Sequence, residues 1–321
     1  MSNTKKKHHY VPVFYLEYFI DPYKGKDTLW VYDKEKEEIR KSTPLNEGYR
    51  KYYHAITLPD GTRDTNTLED EFSVIESETK KFFNKICSTK ELKKIRITDK
   101  ERKIFSRFLG LTAVRTPHFR SGLEESCYEH MNMTNRIVAQ DEKKYDKFKK
   151  SFEDDFGEIE GFPSFKEFKE FVVSGHELSL KSEDSLILGL KKAGYYSALF
   201  YMMNWTFIEA NSEKFFTSDS PLFYKVPDRN SWSLDPERLK SQNVIATFPM
   251  TPSIAYRGEL KGIAHFKTSN KVTRDLNFGT MVNTERFVYS SIKSERLLKY
   301  IVKHKGKRIK MYWPIECYEL R

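Results

Sequence analysis

The sequence contains few cysteines, and they lie far apart. Cys87, Cys127 and Cys317 are the only three, and no two of them have the short spacing of a zinc ribbon or a redox motif. An odd and sparse set of thiols is typical of a protein from a reducing compartment. We therefore expect neither a zinc ribbon nor a CxxC redox motif.

Long apolar runs are missing as well. No stretch approaches the roughly 18 consecutive apolar residues that a membrane-spanning helix needs. The basic N-terminus is not followed by the apolar segment of a signal peptide. These absences predict a cytoplasmic protein that does not bind membranes.

The sequence also lacks the best-known catalytic signatures. It contains no Walker A motif, no Gly-x-Gly-x-x-Gly, no His-Glu-x-x-His and no Gly-x-Ser-x-Gly. Pro227-Asp228 is not followed by a convincing acid-x-Lys triplet of the PD-(D/E)xK nucleases. P-loop, GHKL and Rossmann enzymes are therefore disfavoured.

Aromatic residues and positive charge are abundant. Aromatics make up 15% of the 321 residues, and the formal net charge is +10. Aromatic side chains bury a large area each, which predicts a core built from Phe and Tyr. The charge favours an anionic partner, which could be nucleic acid, a nucleotide or an acidic membrane. A surface that is merely rich in lysine is the alternative.

The order of periodic segments predicts an α+β fold. Strand-like runs near the N-terminus include a hairpin between Thr28–Asp33 and Ile39–Ser42. Apolar spacings of three and four indicate helices from Thr67 onward, one of them with a capping box at Thr98 and Glu101. Strand-like runs return after Asn204, among them 278–282 and 287–291.

From this order we predict a single domain over residues 1–321. Its parts would be a β-rich segment, a helical segment and a second β-rich segment (1–66, 67–204 and 205–321). One mixed or antiparallel sheet would combine strands from both ends of the chain, with the helices forming a layer between them.

The N-terminal segment has the densest pattern. Lys5-Lys6-Lys7-His8-His9-Tyr10-Val11-Pro12 is followed by Phe14, Tyr15, Leu16 and Phe19. So many aromatics need a surface to pack against, so we expect the segment to be docked. Histidines held there could titrate, bind metal or transfer protons near neutral pH. Alternatively, His9 forms hydrogen bonds within a packed terminus, and sequence does not decide between His8 and His9.

This segment resembles the opening of a bacterial domain family of unknown function with an N-terminal His-Tyr-Val-Pro motif. Further motifs are similar: Ile75-Glu76-Ser77, Arg115-Thr116-Pro117, Thr217-Ser218-Asp219-Ser220-Pro221, Phe248-Pro249-Met250-Thr251-Pro252, and Asn283 with Arg286 and Val288-Tyr289. Ser220 stands where the family usually has Asn. The resemblance implies one domain and marks residues of interest, and it brings no established activity.

Three of these motifs contain candidate site residues. Arg115 has a planar guanidinium that suits phosphate, although a buried structural pair with Glu76 or Asp219 is the alternative. Four acidic residues lie on one predicted helix (Glu69, Asp70, Glu76 and Glu78), and Glu76 is the best placed of them to hold a divalent metal. The alternative is that they form an ordinary solvated face of the helix. Asp219 follows a strand and would bind metal or orient His9, unless it only bonds the backbone of its own turn.

The leading hypothesis is a nuclease or phosphodiesterase, for which bacterial defence or toxicity would be a suitable role. His9 would move the proton, Glu76 and Asp219 would hold Mg²⁺ or Mn²⁺, and Arg115 would stabilise the phosphate charge. Substrate contacts would come from the neighbouring polar residues (His8, Tyr10, Arg120, Thr217 and Ser218).

Two other classes of function remain open. A non-catalytic RNA- or DNA-binding module would place Lys5–Lys7 and Lys303–Lys310 on one basic face. A structural or protein-interaction domain would bury and pair Arg115 and Asp219. The substrate, the metal and the oligomeric state are left open.

Overall fold

The computed structural model describes residues 4–24, 27–158, 160–175, 182–225, 244–260 and 269–307. Three features of the sequence analysis lie outside these ranges: Cys317, Pro227-Asp228 and residues 308–310 of the basic run. Within them, the helices are α1 Val13–Leu16, α2 Thr67–Ser88, α3 Asp99–Arg115, α4 Pro117–Val138, α5 Glu142–Phe156, α6 Phe165–Val173, α7 Ser182–Met202, α8 Asn270–Asn283 and α9 Glu295–Lys303. Short 3-10 turns cover Glu17–Phe19, Pro44–Asn46 and Leu92–Lys94.

The strands of the described residues are short and lie at both ends of the chain. They are β1 Lys7–His9, β2 Leu29–Asp33, β3 Glu38–Ser42, β4 Tyr49–Lys51, β5 Ile56–Thr57, β6 Arg63–Asp64, β7 Asn204–Glu209, β8 Thr217–Ser218, β9 Phe223–Lys225, β10 Ile245–Pro249, β11 Ile254–Glu259 and β12 Phe287–Ser290. Together with the helical middle of the chain they confirm the α+β class.

One antiparallel sheet joins the two ends of the chain, as predicted. Its strand order is β3-β2-β12-β8, with Val31 opposite Tyr289 and Val288 opposite Ser218. The structure adds a second four-stranded antiparallel sheet, β7-β11-β10-β9, which uses only strands after residue 203. Two-stranded ladders join β1 to β4 and β5 to β6.

Helices α2, α3 and α7 share a core with strands of both four-stranded sheets, and α3 packs most extensively against α7. Glycine is needed where they meet, because a Cβ on Gly110 would overlap Ser197 Oγ and lie 2.6 Å from the carbonyl oxygen of Ala193. The capping box predicted at Thr98 and Glu101 is confirmed at the start of α3. No helix of the described residues combines the length and apolarity that crossing a bilayer requires.

Aromatic side chains of the N-terminal segment form part of the main core. Tyr15 and Phe19 are fully buried. The ring of Phe14 lies 5.7 Å from those of Phe83 and Phe108, and Tyr15 lies 4.8 Å from Phe248. The predicted docking of this segment is therefore confirmed.

One predicted strand is wrong. Residues 278–282 lie in α8, which begins where the Ser269 hydroxyl accepts the backbone N–H of Val272. The buried side chains Thr273, Leu276 and Thr280 fall on one helical face. Packing of that face overrides the β preference of a Phe-Gly-Thr-Met-Val run.

Candidate functional site

The two histidines of the N-terminal segment point in different directions. β1 pairs with β4, with His8 opposite Arg50 and His9 opposite Tyr49. Because side chains alternate along a strand, His8 is fully buried while His9 stays partly exposed. The segment is docked at Gly48, whose carbonyl accepts the Val11 N–H at 3.0 Å. Gly48 has φ +64°, and a Cβ there would lie 2.8 Å from Val11 Cβ.

Both ring nitrogens of His8 are engaged by the backbone. Its Nδ1 accepts the N–H of His54 at 2.8 Å. That bond leaves the hydrogen on Nε2, which donates to the carbonyl of Lys5 at 3.0 Å. His8 therefore fixes the position of His54.

His54 forms a carboxylate–histidine pair that the sequence did not indicate. Its Nδ1 lies 2.6 Å from Oε1 of Glu69, and its ring lies edge-on to Phe72 at 5.1 Å. Burial holds the pKa of His54 well below its usual value, and the positive charge of Arg115 adds to this effect. A neutral imidazole that donates from Nδ1 keeps its lone pair on Nε2. That Nε2 atom is buried and has no hydrogen-bond partner among the described residues.

Arg115 is a buried guanidinium with only part of its donors used. It is 1% exposed, and Nη1 donates to Oε1 of Glu76 at 2.8 Å. Burial raises the pKa of Glu76, and Arg115 opposes that rise. Nε and Nη2 of Arg115 are buried with no partner among the described residues. The guanidinium lies 5.7 Å from the centre of Phe72, the same ring that His54 contacts.

His9 lies at the partly exposed side of this group. Its Nε2 is 3.3 Å from the carbonyl of Leu45 and its ring lies 5.5 Å from Tyr49. Burial lowers the pKa of His9, Glu69 opposes this and Arg115 adds to it. Of the four predicted catalytic residues, Arg115 and Glu76 are in direct contact, and His9 is linked to them only through the effect of the Arg115 charge on its pKa.

Asp219 has a different environment. It is 2% exposed, and its oxygens accept the backbone N–H groups of Glu285, Arg286 and Phe287 at 2.7 to 2.9 Å. Burial raises the pKa of Asp219 to about 6, against the effect of those three hydrogen bonds. Its oxygens are directed at main chain, not at Glu76 or His9, which favours the structural alternative over the predicted metal site of Glu76 and Asp219.

The predicted substrate contacts on the same turn are also enclosed. Thr217 and Ser218 are fully buried. Thr217 Oγ1 bonds the Tyr15 hydroxyl at 2.5 Å, and Ser218 Oγ accepts the N–H of Ser220. In this geometry the motif fixes its own turn and the 285–287 backbone.

Tyr10 and Arg120 lie beside Tyr53, which precedes His54. The Tyr10 ring lies 5.8 Å from the Tyr53 ring. Arg120 is 3% exposed, lies 4.0 Å above the Tyr53 ring and donates to the Tyr53 carbonyl at 2.8 Å. Arg120 thus connects the start of α4 to the segment that carries His54.

Among the described residues, one set of possible metal ligands comes together, and it differs from the predicted set. Ligand atoms of His8, His54 and Glu69 lie within 4.8 Å of one another. Two imidazoles and a carboxylate would suit zinc. Binding there would require His8 to give up one of its two backbone hydrogen bonds, to Lys5 or to His54. With the hydrogen bonds as they stand, the group fits a proton-transfer role better.

Sequence reasoning missed His54 and underrated Glu69. His54 lies in the run Tyr52-Tyr53-His54-Ala55, where a histidine is typical of a packed strand. Glu69 was grouped with a solvated acidic face. The only available signal was that Glu69 shares a helix face with Glu76, seven residues away.

A family model described as "Protein of unknown function (DUF4238)" matches residues 7–294. The match runs from β1 to the residue that caps α9, so it includes every residue of the site described above. No curated protein and no solved structure matches the chain.

Proposed function

We propose that this chain, which belongs to that family of proteins of unknown function, hydrolyses phosphodiester bonds in nucleic acids or nucleotides. One observation carries the proposal. Nε and Nη2 of Arg115 and Nε2 of His54 are buried without partners among the described residues, and both side chains pack on Phe72. Buried polar groups are rarely left unpaired, so such a group invites a ligand.

Arg115 would bind the phosphate. Glu76 occupies Nη1, which leaves the edge formed by Nε and Nη2. Two parallel N–H groups on that edge match two phosphate oxygens. Because Arg115 is buried, the interaction would be little screened by solvent and would stabilise charge that develops in the transition state.

His54 would act as the general base. It is neutral near pH 7 because burial lowers its pKa, and Glu69 fixes the tautomer that leaves Nε2 free. Nε2 would take a proton from water as the water oxygen bonds to phosphorus. The bond from phosphorus to the leaving oxygen then breaks, and His54 returns the proton to that oxygen. His9 would contact the substrate at the partly exposed side.

The test is hydrolysis of labelled RNA, single-stranded DNA, duplex DNA and dinucleotides, with Mg²⁺ or Mn²⁺ supplied or chelated. His54→Asn keeps a donor for Glu69 and removes the Nε2 base, so we expect activity to fall about 100-fold or more. His304→Asn is the matched control, because His304 caps α9 through the Tyr300 carbonyl. His9→Gln tests the contact at the exposed side.

Each outcome has a distinct meaning. Cleavage lost in His54→Asn and kept in His304→Asn would support the proposal, and the chelated samples would show whether a divalent metal is needed. Equal cleavage by both variants would refute the role of His54. Salt-sensitive binding without cleavage would favour a nucleic-acid-binding module, and neither binding nor cleavage would favour the structural alternative.

A further inference from the structure

A polar cleft lies beside the Tyr53–His54 segment. It encloses about 210 Å³ between β4, the first turns of α4 and the loop before β12. The residues that line it include Arg50, Tyr53, Arg120, Ser121, Glu124 and Glu285. Of its charged residues, only Arg120 is among the substrate contacts predicted from sequence, and none has a role in the proposed hydrolysis.

The lining of the cleft is balanced in charge. Arg50 and Arg120 carry two positive charges, and Glu124 and Glu285 carry two negative ones. A phosphate would be repelled by the carboxylates and a simple cation by the guanidinium groups. The cleft therefore suits a neutral ligand that offers hydrogen-bond donors on one edge and acceptors on another.

An aromatic surface is present in the same cleft. The Arg120 guanidinium lies 4.0 Å and that of Arg50 5.4 Å from the centre of the Tyr53 ring. Planar cations and an aromatic ring in alternation are the surfaces on which nucleobases stack. These stacking surfaces therefore favour a ligand that is a flat heterocycle.

The two carboxylates are held in place by their neighbours. Glu124 accepts the Ser185 hydroxyl at 2.7 Å. The backbone N–H of Glu285 is bonded by Asp219, and its side chain lies 3.4 Å from Nδ1 of His118. Asp219 therefore positions a residue of the cleft although it does not line the cleft itself.

Two observations relate the cleft to the proposed hydrolytic site, although no residue of that site lines the cleft. Tyr53 is adjacent to His54 in sequence, and the charge of Arg120 lowers the pKa of His54. A nucleotide whose base lies in the cleft would extend its phosphate toward His54, which follows Tyr53 in the chain. Only the expected position of the phosphate rests on the proposed function. Binding of the base in the cleft does not depend on it.

We propose that this cleft is a nucleobase pocket that prefers guanine. Guanine offers acceptors at O6 and N7, which Arg recognises, and donors at N1 and the 2-amino group, which suit a carboxylate. Adenine offers no such pair of neighbouring donors. Glu124 is the carboxylate assigned to the 2-amino edge, and Arg50 is the guanidinium assigned to the O6 edge.

The experiment is isothermal titration of the full chain with guanosine, inosine, adenosine and glycine. Inosine lacks only the 2-amino group of guanosine. We expect guanosine to bind about tenfold or more tightly than inosine or adenosine. Glu124→Gln should weaken guanosine binding by a similar factor. Glu125→Gln, the exposed neighbour on α4 that does not line the cleft, is the matched control and should change nothing.

Guanosine carries no phosphate, so this result is independent of hydrolysis. Guanosine binding that depends on Glu124, in a chain that cleaves nothing, would keep the pocket and refute the hydrolase. Cleavage without a preference for guanine would keep the hydrolase and refute the pocket. Binding of glycine in place of guanosine, equal binding of all nucleosides, or no binding would each overturn the proposal.

Discussion

Nδ1 of His54 lies 2.6 Å from Oε1 of Glu69 across the β5–β6 hairpin that separates the two residues in sequence. Burial lowers the pKa of the imidazole and raises that of the carboxyl. Both shifts disfavour the charged forms, so the neutral imidazole bonds to the carboxyl group by a hydrogen bond and not as an ion pair.

The first prediction concerns acid sensitivity. The pKa of His54 is lower in the folded protein than in the unfolded chain, so the folded state binds this proton less readily. His54 therefore makes its full contribution to the free energy of unfolding above about pH 6.5. As the pH falls below that value, this contribution is lost by up to about 1.4 kcal/mol per pH unit. Urea unfolding from pH 5 to pH 8 measures it. His54→Asn should remove this part of the slope, and an unchanged slope would show that His54 does not titrate in this way.

The second prediction concerns Asp219. Asp219→Asn replaces a carboxylate that accepts three backbone N–H groups, so at least one of those donors loses its partner. We expect the free energy of unfolding to fall by about 2–4 kcal/mol. Asp275→Asn, an exposed residue on α8, should change it by less than about 0.5 kcal/mol. Equal effects of the two variants would contradict the anchoring role of Asp219.

The third prediction concerns the buried pair of Arg115 and Glu76. Arg115→Met leaves a largely buried carboxylate without its partner, which should cost about 3–5 kcal/mol of stability. Adding Glu76→Leu removes that orphaned charge, so the double variant should regain much of the loss. Chemical denaturation of both single variants and the double variant gives the coupling energy. Additive losses would mean that the two side chains act independently.

The fourth prediction compares two glycines on helices that pack together. Gly110→Ala would force α3 away from α7, because its Cβ meets the Ala193 carbonyl at 2.6 Å, and we expect a loss of about 2 kcal/mol or more. Gly194→Ala lies on α7 with open space around its Cβ, so it should gain up to about 1 kcal/mol. Thermal unfolding of the two variants checks the opposite signs. A loss in both would indicate that helix packing is tighter around Gly194 than the structure shows.

Local signals in the sequence were enough to predict much of the fold. The β2–β3 hairpin, the capping box at Thr98 and the start of α2 at Thr67 each depend on residues a few positions apart. The run 278–282 was misassigned because its strand preference is weak beside the burial of Leu276 and its neighbours in α8. Local preference decides structure only where packing does not oppose it.

The candidate site was less predictable, because its contacts connect distant parts of the chain. A buried pair of Arg115 with Glu76 is one of the alternatives that the sequence leaves open, and the structure contains that pair. The partner of His54 lies on another element, and the three donors that Asp219 accepts lie more than 60 residues away. No periodicity or motif encodes such pairings. They require the sheets and helices to be in place.

The sheet that joins the two ends of the chain has a consequence for synthesis on the ribosome. β2 pairs with β12, and Asp33 binds the side chain of Arg286 across 253 residues of sequence. At about 5–20 residues per second, β2 would wait roughly 13–50 s for its partner strand. During that time the edge of β2, with the apolar Leu29 and Val31, is open to other strands. The nascent chain should therefore depend on chaperones until β12 emerges.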